Sequence, residues 1–128
     1  MWRPRLLEKH VKVIEILEEY RWKKRILVLQ NEDPDKVKAQ KELLDKVIPD
    51  LRERKLVLLG FGIDKEPYAS IDITQLKTKY KNKQHSILLF GLDGQLKNSW
   101  TIPVDPEKIF TVIDKMPMRR RELKEKEN

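Results

Sequence analysis

Ser86-Ile87-Leu88-Leu89-Phe90-Gly91-Leu92-Asp93-Gly94-Gln95-Leu96-Lys97-Asn98-Ser99-Trp100-Thr101-Ile102 carries the strongest local signal in the chain. An apolar run is followed by turn-forming residues and then by a run in which apolar and polar residues mix, the pattern of two strands joined by a turn. The reading is a β-hairpin in which Asp93-Gly94 supplies the positive φ angles of a tight turn. Upstream, Ile26-Leu27-Val28-Leu29 and Leu56-Val57-Leu58-Leu59 are continuously apolar, as strands covered on both faces are, and the second strand is read over Lys55–Ile63.

Helices fill the spaces between these strands. Asp33-Pro34 reads as a helix start, an N-cap acceptor followed by a residue with no N–H to leave unpaired. The helix is expected to reach about Leu51, with Val37, Gln40 or Lys41, Leu44, Val47 or Ile48, and Leu51 inward, and with Pro49 kinking or ending it. A polar loop from Asp64 to Ser70 and a short helix over Asp72–Tyr80 lead to the hairpin. After the hairpin, Val104-Asp105-Pro106-Glu107 repeats the capped start, and the helix that carries Ile109, Phe110, Val112 and Ile113 inward stops before Pro117. At the other end, Leu6, Leu7, Val11, Val13, Ile14, Ile16, Leu17 and Tyr20 recur at helical steps.

The expected fold class is α/β, a central mixed sheet of about four strands with helices on both faces. The 128 residues make one domain: an amphipathic helix over 1–20, a core over 21–118 and a charged tail over 119–128.

Composition closes several chemistries. The chain has no cysteine, which excludes disulfides, thiolate metal sites and cysteine nucleophiles. Its two histidines, His10 and His85, stand at no metal-ligand spacing. Ser70, Ser86 and Ser99 lack a nucleophile elbow, and Gly60-Phe61-Gly62 is no phosphate-binding loop. No cofactor is expected. No stretch approaches the ~20 apolar residues that span a bilayer. The acids and lysines in residues 1–20 leave no signal-peptide core, so the expected location is the cytoplasm unless a leader has been removed. Lys and Arg number 28 against 21 Asp and Glu, a net charge of +7 that favours an anionic partner.

Three strings carry a resemblance. They are Tyr20-Arg21-Trp22-Lys23-Lys24-Arg25-Ile26-Leu27-Val28, Leu89-Phe90-Gly91-Leu92-Asp93-Gly94-Gln95-Leu96-Lys97 and Ile113-Asp114-Lys115-Met116-Pro117-Met118-Arg119-Arg120-Arg121-Glu122. Together they resemble the domain of unknown function family 4174, found alone in bacterial proteins and within secreted matrix proteins of animals, including the sushi-repeat proteins. The element order is similar to that of thioredoxin: parallel strands joined by helices, an antiparallel hairpin and a closing helix. The resemblance implies a thioredoxin-like fold without established chemistry, usually in exported or extracellular proteins. The chain departs from the pattern at the Asn31-Glu32 turn, where a small, apolar, proline-containing turn is usual, and in its short connection between Ile63 and Ser86.

In a redox-active thioredoxin a Cys-x-x-Cys pair opens the helix after the first central strand, where the helix dipole lowers the thiol pKa. Here Asn31-Glu32-Asp33-Pro34 occupies that place, and Gln84-His85-Ser86 stands where a cis-proline loop would lie. The expected function is therefore a non-catalytic binding or scaffold module, with a cysteine-free enzyme using Asn31 to Pro34 and His85 as the alternative. Two basic strings are the candidate sites for an anionic ligand or a protein partner: Arg119, Arg120, Arg121, Lys124 and Lys126, and Arg21, Lys23, Lys24 and Arg25 beside Trp22. A competing reading pairs the first set with Glu122, Glu125 and Glu127 on a solvated helix. Trp22, Trp100 and Phe110 read as packing residues. Nucleic acid ranks last as a partner, because no aromatic-basic platform is present. The oligomeric state is left open.

Overall fold

The computed structural model describes residues 17–30, 33–83 and 86–127. Their order is β1 (Arg25–Gln30), α1 (Pro34–Asp45), α2 (Ile48–Glu53), β2 (Leu56–Leu59), β3 (Tyr68–Ala69), α3 (Thr74–Lys79), a 3₁₀ turn (Lys81–Lys83), β4 (Ser86–Phe90), β5 (Leu96–Thr101), α4 (Pro106–Asp114) and α5 (Pro117–Glu127). Residues 17–20 are helical ahead of β1. The expected helix over 1–20 otherwise lies outside the described residues.

One mixed sheet has the order β3-β2-β1-β4-β5. β1 runs parallel to β2 and antiparallel to β4, β2 parallel to β3, and β4 antiparallel to β5. Strand period decides the layers. Leu27, Leu29, Leu56, Leu58, Ile87 and Leu89 point to one face and pack with Leu44, Leu51, Ile109, Phe110 and Ile113 of α1, α2 and α4. Ile26, Val28, Val57, Leu59, Leu88 and Phe90 point to the other, where Leu76 of α3 and the half-buried Leu17 and Tyr20 cover them. Helices on both faces explain why the central strands are apolar throughout.

The sheet has five strands where about four were expected. The extra one, β3, is two residues long and follows Pro67 in a polar loop, too short to show a period. The stretch that reads as a strand to Ile63 leaves the sheet at Leu59, because Gly60 and Gly62 take φ +93 and +72. At Gly60 an added Cβ would stand 2.6 Å from the Leu29 carbonyl oxygen, so glycine alone lets the chain pass beside β1.

The helix expected from Pro34 to about Leu51 is two helices. A ring at Pro49 would meet the carbonyl of Asp45 in a continuous helix, and α1 ends at Asp45 while Pro49 sits in the first turn of α2. The inner face holds, with Gln40, Leu44 and Leu51 fully buried. Asp33 and Asp105 cap their helices as expected, accepting from the N–H groups of Asp35 and Glu107.

The hairpin forms, but its turn is longer than two residues. Gly91 N–H donates to the Gln95 carbonyl and Gly94 N–H to the Gly91 carbonyl. Gly94 alone takes positive φ, at +78, while the Asp93 carboxylate accepts from Gln95 N–H and from the Lys97 ammonium. The side-chain bonds of Asp93 make a wider turn self-sufficient.

Candidate functional site

The start of α1 holds Asp33 as a helix cap. Asn31, Glu32, Gln84 and His85 lie outside the described residues. Among the described residues no group of three or more acids or histidines could hold a metal ion, and no helix is long and apolar enough to cross a membrane.

The basic strings meet instead at the opposite end of the sheet. Arg25 opens β1 on the face of Leu27 and Leu29, so its side chain enters the layer beneath α2 and α4 and is fully buried. Its Nη2 donates to Glu122 Oε2 at 2.9 Å across 97 residues of sequence, and its Nη1 to the Arg54 carbonyl at 2.9 Å. This ion pair brings the start of β1 against α5. The segment that reads as a charged tail is therefore a docked helix.

Arg119, one of the expected anion-binding residues, is 3% exposed. Its guanidinium donates to Asp114 Oδ1 and to Glu53 Oε1, each at 3.2 Å. Arg54 also clamps Asp114, with Nε and Nη2 at 3.0 and 2.9 Å from its two oxygens, and lies 4.2 Å over the Phe110 ring. Lys126 reaches Glu53 at 3.0 Å. Arg25, Arg54, Arg119 and Lys126 thus face Asp50, Glu53, Asp114 and Glu122, four cations against four carboxylates. The cluster is neutral, so the +7 of the chain resides elsewhere. Arg25 and Arg119 are buried and hold α5 to the body, and Lys126 is paired with Glu53, corrections to the anion-binding role expected of these three. Glu122 pairs with bases as the competing reading has it, but with Arg25 and Arg119 in the interior of the cluster.

The remaining bases face solvent. Lys23, Arg120, Arg121 and Lys124 are exposed and Lys24 is half-buried, and among the described residues none of them has a carboxylate partner. Arg21 pairs with Glu18 at the surface, a contact worth little in water. On α5 the steps from Arg120 and Arg121 to Lys124 place the three on one outward face. Of the aromatics read as packing residues, Phe110 is in the core and Trp100 half-buried, while Trp22 is 57% exposed. Chain position could have flagged this, since Trp22 has charged neighbours on both sides. No sequence signal separates Arg119 from Arg120 and Arg121, because which arginine turns inward depends on the angle at which α5 leaves Pro117.

Two carboxylates of the cluster titrate low. For Asp114, burial works against the charge, yet the hydrogen bonds from Arg54 and Arg119 outweigh it and hold the carboxyl below its ordinary 3.8. Glu53 is held below 4.5 by its hydrogen bonds from Lys126 and Arg119. A carboxyl with a depressed folded pKa contributes stability that is full above its unfolded pKa and is lost as the pH falls through the folded value. The melting temperature is accordingly expected to be level from neutral pH to about 5 and to drop below about 4, followed by circular dichroism. A melting temperature that rises on acidification through that window would contradict the pairing.

The chain matches over residues 16–122 the model of a family described as a domain of unknown function, DUF4174. No curated protein and no solved structure matches it. The matched span takes in the whole sheet and both partners of the Arg25–Glu122 ion pair, and the chain belongs to the DUF4174 family.

Proposed function

We propose that the protein is a non-catalytic binding module of thioredoxin-like fold, and that the end of the sheet where its two basic strings meet receives an anionic partner. The strand order β2-β1-β4-β5, with β1 and β2 parallel and β4 and β5 antiparallel, supports the fold reading. The absence of cysteine leaves the module no thiol chemistry.

One observation carries the binding reading. The buried Arg25–Glu122 pair joins two strings of bases far apart in sequence, while Lys23, Lys24, Arg120, Arg121 and Lys124 have no carboxylate partner among the described residues. A neutral cluster beneath an unneutralised basic surface lets structure and binding use different residues of the same strings. An exported module, which the family resemblance implies, would use such a surface on acidic glycans, and so would one meeting an acidic protein.

Retention on a heparin column tests the reading. The Lys23→Ala/Lys24→Ala and Arg120→Ala/Arg121→Ala/Lys124→Ala variants are expected to elute at clearly lower salt than the wild-type protein, with affinity weakened on the order of tenfold for each set. Both should keep the wild-type melting temperature, because the residues removed lie outside the buried cluster. Unchanged elution of both variants would overturn the proposal.

A further inference from the structure

Trp22 is the residue that neither the core nor the ion cluster explains. It has φ +65, the left-handed region in which a bulky side chain is an outlier, at the end of the helical turn before β1, where glycine is the usual residue. The chain is fixed there by Trp22 N–H, which donates to the Leu92 carbonyl at 2.6 Å, and by Lys23 and Lys24 N–H groups donating to the Tyr20 carbonyl. The strained backbone holds a large indole out into water. Strain that gains no burial points to use of the side chain by something outside the fold.

The exposed apolar side chains lie in the two basic strings. Among the described residues the large apolar side chains classed as exposed are Trp22, at 57%, and Met118, at 39%. Each lies in one of the two basic strings. Trp22 has Arg21, Lys23 and Lys24 beside it, with the Arg21 guanidinium 5.7 Å from its ring centroid. Met118 lies in the first turn of α5, one turn before Arg121. A soluble polyanion needs only the bases. A single-stranded nucleic acid stacks on a series of aromatic rings, and among the described residues only one is exposed. Bases that surround an indole and a thioether match a layered target, with anionic charge at its surface and apolar material just beneath.

We infer that this end of the molecule docks on an anionic phospholipid bilayer, the bases on the lipid phosphates and carboxylates and Trp22 seated at headgroup level. The inference rests on the proposed basic binding surface and names its partner. It is peripheral binding, since among the described residues no helix is long and apolar enough to span a bilayer.

Co-sedimentation with vesicles tests it, with the heparin column run in parallel. The wild-type protein is expected to pellet with phosphatidylcholine vesicles that contain about one-third phosphatidylserine and to stay in solution with pure phosphatidylcholine. Trp22→Gly places the residue that favours this φ, so loss of binding in this variant cannot be laid to unfolding. It is expected to lower vesicle partitioning on the order of tenfold while its elution from heparin stays unchanged. Wild-type protein that is retained by heparin but ignores the charged vesicles overturns the inference and leaves the proposed function standing. Failure to bind either overturns both, and equal pelleting of Trp22→Gly and wild type overturns the inference.

Discussion

Glu122→Ala is expected to destabilise the protein by about 3–5 kcal/mol, because it leaves the fully buried Arg25 charge without its counter-charge. In a domain of this size that is a fall in melting temperature on the order of 10 °C. The companion expectation is less intuitive. Replacing both partners, as in Arg25→Met/Glu122→Leu, should be close to neutral, since burial of the pair costs desolvation that an apolar pair avoids. Arg25 Nε has no hydrogen-bond partner, which adds to the cost of keeping the arginine. A urea titration of the two single variants and the double variant reads the coupling directly. Additive losses would show that the two side chains do not meet.

Gln40→Leu comes next in expected size. The Gln40 amide, fully buried on α1, donates from Nε2 to the Val104 carbonyl at 3.1 Å and accepts Val104 N–H on Oε1 at 2.7 Å. It pairs with the backbone between β5 and α4 as a neighbouring strand would. Leucine keeps most of the volume but orphans a buried donor and a buried acceptor, and the expected loss is on the order of 3 kcal/mol. Gln40→Glu should be at least as harmful, because it sets a carboxylate against the Val104 carbonyl. A leucine variant as stable as the wild-type protein would mean that water replaces the amide.

These two sites show what a sequence can and cannot disclose. The helical spacing around Leu44 and Leu51 admits either Gln40 or Lys41 on the inner face. The structure seats Gln40, whose amide can satisfy both backbone groups of Val104, while Lys41 pairs with Asp45 at the surface. The apolar strands and the Asp-Pro helix starts were legible because each depends on neighbours in the chain. Features set by distant partners were hidden. The inward turn of Arg119 depends on Asp114 and Glu53, and the short strand β3 exists only through its pairing with β2. Arg25 gave a mixed signal: it ends a basic string, yet the strand that follows carries its side chain into the interior.

The division of the basic strings is what the proposed function rests on. Arg25 and Arg119 serve the fold, and Lys23, Lys24, Arg120, Arg121 and Lys124 have no carboxylate partner among the described residues. Any test that mutates the three arginines of α5 together would confuse the two roles, since Arg119→Ala breaks the docking of the helix while Arg120→Ala and Arg121→Ala do not.

The central claim is that the two strings form one surface, and titration calorimetry with a short, size-selected heparin oligosaccharide tests it most directly. The account predicts one ligand per chain, and a single binding event that is weakened both by Lys23→Ala/Lys24→Ala and by Arg120→Ala/Arg121→Ala. Two independent events, each abolished by one variant and untouched by the other, or no binding at low salt, would contradict it.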